Sequence, residues 1–206
     1  MKKYLKFVLA LFVFVFLSSC QKKESVIESN SIFHFDTKPL SFKVIENISA
    51  SIKEMKSFQT SSIKSSKFNE SQIKNIIKPL VENGKQIHNE LIEHLRSSPA
   101  WTSLSIQEKE LLINFRDVQF AELSLVFVEL QNNITLREDD TWNSVRSCLS
   151  GALGFGELYY LLIENPRGLA TARGTFALLK HIGGRYLGYI GLGLAILDFA
   201  DCISKY

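Results

Sequence analysis

Apolar residues recur at spacings of three and four along most of this chain. Val44, Ile45, Ile48, Ile52, Met55 and Phe58 set the first such stripe and predict an amphipathic helix over 42–59, with a loop over 60–67. Asn69 and Gln72 have the spacing of a capping box ahead of a longer stripe from Ile73 to Leu95, the clearest amphipathic helix in the sequence. Pro79 falls inside that stripe and predicts a kink, and Ser97-Ser98-Pro99 ends it. Ser105 and Glu108 repeat the capping-box spacing. From Leu111 to Leu130 there is little polar relief, which predicts one helix through the core, closing at Asn132-Asn133.

Asp139, Asp140 and Thr141 precede a further apolar pattern, a start signal that puts acidic groups beside the positive pole of a helix. Asn165-Pro166 closes that element. Two more helices are predicted, from Leu169 to Ile182 and from Arg185 to about Ile203, with Gly183-Gly184 between them. No run alternates as a strand would. The fold class is therefore all-α: a single helical domain with a glycine-rich C-terminal helical hairpin, preceded by a flexible tether.

The N-terminal end departs from these patterns. Lys2, Lys3 and Lys6 are followed by an unbroken apolar run, 7–17, and then by Ser18, Ser19 and Cys20. That order is a charged region, an apolar region and a small-residue cleavage site, and the apolar run is well below the roughly 20 residues of a spanning helix. Leu17-Ser18-Ser19-Cys20 resembles the lipobox of bacterial lipoproteins. The resemblance implies cleavage between Ser19 and Cys20, acyl chains such as palmitate on Cys20, and membrane lipid as the partner of that anchor. Two or three acyl chains make such anchoring stable. The chain then divides into a signal peptide, 1–19, a lipidated N-terminus and tether, 20–41, and a helical domain, 42–206, of which 151–206 is a glycine-rich apolar tail. Ile32, Phe33 and Phe35 in the tether could form a short strand or pack onto the body. Gln21, in place of an aspartate, favours the outer membrane in a diderm host by the sorting rule of enteric bacteria.

Charge and cysteine count refine this picture. The formal net charge of +3 equals the contribution of Lys2, Lys3 and Lys6, so the mature chain is close to neutral and carries no strong nucleic-acid footprint. With Cys20 lipidated, Cys148 and Cys202 remain, and an oxidising compartment would allow them to pair. Two buried thiols packed as small apolar groups are the alternative.

Candidate chemistry is sparse. His88 and His94 are six apart, on different faces of a helix, instead of the four that lets two imidazoles share a zinc. Glu90 and His94 have neighbour spacing and read as an exposed helical pair. Gly154-Phe155-Gly156 and Gly191-Leu192-Gly193 lack the strand-turn-helix context of a dinucleotide site and read as packing positions. No serine stands in a nucleophile elbow. No catalytic residue, metal site or cofactor is expected, and the chain reads as a binding or structural component of the envelope, with an envelope protein as a possible partner; a hydrolase whose site is assembled from distant residues is the lesser alternative.

Every glycine except Gly84 lies in the tail. Gly184 and Gly188, like Gly191 and Ala195, are four apart, a spacing that lines small residues along a helix face and lets backbones approach. Arg167, Arg173, Lys180 and Arg185 add four positive charges there with no acidic residue between Pro166 and Tyr186. This cationic, glycine-rich composition is similar to that of some bacteriocin-like peptides, which implies action on membranes. Arg173 and Lys180 share a helix face in that reading and would touch an anionic surface.

Overall fold

The computed structural model describes residues 36–60, 69–135, 148, 151–154 and 171–204. The fold is all-α, with no strand among the described residues. Its helices are α1 (Phe42–Thr60), α2 (Glu70–Ile76), α3 (Lys78–Arg96), α4 (Pro99–Ser103), α5 (Ile106–Ile113), α6 (Asp117–Thr135), α7 (Ala172–Gly183) and α8 (Tyr189–Ile203). Residues 20–35 of the tether, the loop over 60–67 beyond Thr60, and the helix expected after Asp139 lie outside the described residues, apart from Cys148 and 151–154.

Local chemistry sets the helix ends. Pro79 does more than kink the second stripe: the helix stops at Ile76, and Pro79 stands in the first turn of α3. There its missing N–H would have had no helical partner anyway. Asn69 caps α2 from one side only, its Oδ1 accepting from Ser71 N at 3.0 Å and from Ser71 Oγ at 2.7 Å. The expected partnership with Gln72 is replaced by this one. At α5 the box is complete, because Glu108 N donates to Ser105 Oγ at 3.2 Å and Ser105 N to Glu108 Oε2 at 3.1 Å.

The single helix expected from Leu111 to Leu130 is two. The chain leaves α5 at Asn114, whose φ and ψ are −91° and 60°, and re-enters a helix at Asp117. Phe115 is thereby turned onto the His88 ring, with centroids 4.5 Å apart. The Arg116 N–H, an orphan donor at the start of α6, is taken by Gln119 Oε1 at 2.8 Å. Both elements are apolar enough that periodicity runs straight through the break.

The most extensive helix contact joins α3 to α6. It depends on Gly84, where a Cβ would stand 1.8 Å from the Phe120 carbonyl oxygen, so only a glycine admits the α6 backbone. Around this pair Ile45, Ile73, Leu91, Leu123, Leu178 and Phe199 are fully buried and draw the other helices into one core. α7 packs mainly on α5, and α8 on α1 and α2. An ion pair between Lys53 and Asp201, 2.5 Å, joins the surfaces of α1 and α8.

The C-terminal pair follows the hairpin connectivity, with 184–188 linking α7 to α8. Gly184 caps the end of α7 and Gly188 the start of α8, so these two glycines flank a turn and do not line a shared helix face. Close approach is served by others. A Cβ on Gly183 would lie 2.8 Å from the Leu111 carbonyl, and one on Gly193 would lie 3.4 Å from Ile73.

Candidate functional site

Cys148 and Cys202 are joined in a disulfide, with Cα atoms 5.5 Å apart. Of the two states left open by the sequence, the bonded one is present, and it fixes the end of α8. Ser19 and Cys20 lie outside the described residues. Arg173 and Lys180 are both exposed on α7, while Leu178, Leu179 and Ile182 are buried, so the helix is divided as its pattern implied. Lys180 Nζ is 3.6 Å from Glu108 Oε1, which offsets part of its charge. The Glu108 carboxyl is held below the usual range first by the Ser105 backbone N–H and hydroxyl, with Lys180 adding to them.

Three polar constellations on α3 and α6 escaped the sequence reading. The first is centred on Asp117, which receives Lys74 Nζ at 3.3 Å, Lys85 Nζ at 3.4 Å and the Tyr189 hydroxyl at 3.2 Å. Burial alone would raise its carboxyl. The lysines and the hydroxyl outweigh burial and hold it below the ordinary value. Asp117 thus ties the start of α6 to α2, α3 and α8 as an ion-pair hub.

The second is a strap. Backbone N–H groups of Asp36 and Thr37 donate to the Glu90 carboxylate at 3.0 and 2.8 Å, and the Thr37 hydroxyl adds a third bond. Glu90 is therefore committed to the incoming chain. Beside it, Asn83 Nδ2 donates to the Lys38 carbonyl at 2.9 Å and Asn83 Oδ1 accepts from Ser124 Oγ at 2.8 Å. Two side chains of α3 thus hold the strap, and Ser124 of α6 steadies one of them, through bonds that satisfy buried polar groups.

The third constellation consists of buried titratable groups. The His88 Nε2 lies 2.7 Å from the Leu112 carbonyl, and its ring sits between Phe115 and Phe120. Burial pushes its pKa below the ordinary value, against the pull of that carbonyl. Glu122 is 0% exposed, and neither carboxyl oxygen has a hydrogen-bond partner among the described residues. Burial pushes its pKa up to about 7, opposed by Arg185 and then Arg116. One signal for it existed in the sequence: Glu122 interrupts an apolar run in a helix already expected to be enclosed.

No three His, Cys, Asp or Glu side chains among the described residues are grouped as a metal ion would need. No helix of the described residues is long and apolar enough to cross a membrane. What fold and contacts define together is a disulfide-braced all-α domain with an apolar core, in which polar contacts join helices to one another and to the incoming chain. No protein-family model, curated protein or solved structure matches the chain.

Proposed function

We propose that this chain is a bacterial lipoprotein, anchored by acyl chains on Cys20, whose helical domain serves as a binding or structural component of the cell envelope. The supporting observation is a cysteine count. Cys148 and Cys202 are bonded to each other, and Cys20, directly behind an apolar leader and two serines, falls outside that pair. Structural disulfides belong to exported proteins, where the compartment is oxidising, and the leader supplies a route there. In this reading the partners are membrane lipid through Cys20 and an envelope protein, the outer membrane is favoured in a diderm host, and no enzymatic step is assigned. Metabolic labelling with a fatty acid tests it. Cys20→Ala is expected to abolish labelling and to release the chain from membranes or stall its processing, and lipid that still attaches to this variant defeats the assignment.

A second reading, contact of the C-terminal helices with an anionic surface, is favoured by the exposure of Arg173 and Lys180 on one side of α7. The pairing of Lys180 with Glu108 weakens that attraction, since a basic group near an anionic surface contributes only about 1 kcal/mol before any such offset. Binding of the non-lipidated domain to anionic vesicles is expected to be weak, to fall with salt, and to fall again when Arg173 and Lys180 are both changed to Gln. Binding that ignores both would dismiss the reading.

A further inference from the structure

α5 and α7 lie side by side and run the same way, since Lys180 Nζ is 3.6 Å from Glu108 Oε1 and a Cβ on Gly183 would meet the Leu111 carbonyl. Their C-terminal ends therefore share one end of the bundle with the start of α6 and the 184–188 turn. That end is pinned. Arg116 Nη2 donates to the Arg185 carbonyl at 3.2 Å, and Gln119 Nε2 donates to the carbonyls of Ile182 and Gly183 at 3.2 and 2.9 Å. On the held turn Tyr186 is 90% exposed, the most of any large apolar or aromatic side chain among the described residues, and Ile113, which ends α5, is 38% exposed.

The same end is cationic. The Arg116 guanidinium lies 4.6 Å from the centre of the Tyr186 ring, Lys74 Nζ 5.9 Å from that of Tyr189 and Lys85 Nζ 5.5 Å from that of Phe120. The Asp117 carboxylate faces both lysines. Arg116 has no carboxylate within ion-pair distance among the described residues, and its remaining N–H groups are open to an acceptor. Glu110, exposed on α5, leaves the cations in excess. A tyrosine suits the level of lipid headgroups, where its ring is apolar and its hydroxyl stays wet, and a guanidinium matches a phosphate with paired N–H donors.

We propose that this end of the bundle docks on an anionic lipid surface. Tyr186 seats among the headgroups, Arg116 takes a lipid phosphate beside it, Lys74 and Lys85 supply surrounding positive charge, and Ile113 borders the contact. Charge complementarity selects the lipid phosphate as occupant. The proposal rests on the acyl anchor at Cys20, which keeps the domain beside a bilayer so that a weak second contact is sufficient. It places a different surface against the lipid from that of Arg173 and Lys180, whose second cation is met by Glu108.

The test uses the mature chain carrying Tyr186→Trp, with the wild type as background for Trp101 and Trp142. Vesicles are of neutral phosphatidylcholine or anionic phosphatidylglycerol, with brominated acyl chains that quench a nearby indole. Retention on neutral vesicles reads the Cys20 anchor by itself, and quenching at position 186 reads the docking. Quenching is expected to be several-fold stronger on anionic than on neutral vesicles and to fall with salt. It is expected to be largely lost in Arg116→Gln, to return in Arg116→Lys, and to survive Arg173→Gln with Lys180→Gln. If the anchor proves absent, titration of the non-lipidated mature chain with anionic vesicles decides: Arg116→Gln is expected to raise the half-saturating lipid concentration about fivefold, and an unchanged value overturns the docking. Should Arg116→Gln fail to fold, Tyr186→Ser, at an exposed position, is expected to weaken the same binding, and equal binding overturns it. Absence of quenching on anionic vesicles also overturns it and leaves a protein surface as the partner of the turn. Equal quenching on both kinds of vesicle, or loss with the α7 pair but not with Arg116→Gln, is equally fatal.

Discussion

A single missing atom decides the central helix crossing. Because a Cβ at position 84 would stand 1.8 Å from the Phe120 carbonyl oxygen, Gly84→Ala forces α3 and α6 apart and is expected to cost about 3 kcal/mol, read as a fall in the urea midpoint. His88 and Glu122 work on stability in opposite directions. The folded pKa of His88 is lowered, so its contribution is complete above the ordinary histidine value and is lost as pH falls through the depressed one. The folded pKa of Glu122 is raised to about 7, so its contribution is complete below the ordinary carboxylate value and is lost as pH rises through 7. The difference amounts to roughly 3 kcal/mol. His88→Gln keeps a donor for the Leu112 carbonyl but does not titrate, and is expected to flatten the acid limb of the stability profile while leaving the neutral limb alone. In the sequence Glu122 showed only as an interruption of an apolar run, and His88 only as a histidine six residues from another. A histidine on an amphipathic stripe has the same spacing whether it faces water or two phenylalanines.

Among the helices, those with chemical punctuation were legible and those without were not. The Ser105 and Glu108 box, the stop at Ser97-Ser98-Pro99 and the Gly183-Gly184 break all fall where those residues dictate. Ser105→Ala is expected to remove about 1 kcal/mol and to speed amide exchange in the first turn of α5. The break between α5 and α6 was hidden, because Leu112 and Val118 are apolar and buried on either side of it and its cap is Gln119 acting from within the next helix. The strap was hidden for another reason. Glu90 reaches backbone N–H groups 53 and 54 residues away, and backbone donors leave no trace in composition. Glu90→Ala is expected to release Asp36 and Thr37, so that their amides exchange at the rate of free chain while those in α3 keep their protection. Unchanged protection at Asp36 and Thr37 would show that Asn83 alone secures the segment.

For the molecule as a whole, the disulfide is the largest single constraint. It spans 54 residues, and closing a loop of that length in the unfolded chain is worth about 4 kcal/mol in the chain-entropy account. Reduction, or Cys148→Ser with Cys202→Ser, is expected to lower the unfolding free energy by about that much, measured against the oxidised protein in urea. The pairing was accessible to arithmetic on the cysteines, whereas the partners of α7 and α8 were not. Both helices look made for each other by their glycines, yet Gly183 rests on α5 and Gly193 on α2. The strap has one more consequence, which is mechanical. If Cys20 is the point of attachment to a membrane, the leash from there to Asp36 can extend to no more than about 55 Å, and any pull along it enters the domain at Glu90 and Asn83. Both residues belong to the helix packed most extensively in the bundle. The load is delivered to the stiffest member of the body before it can peel α1 from its end, as a mooring line is made fast to the keel and not to the rail.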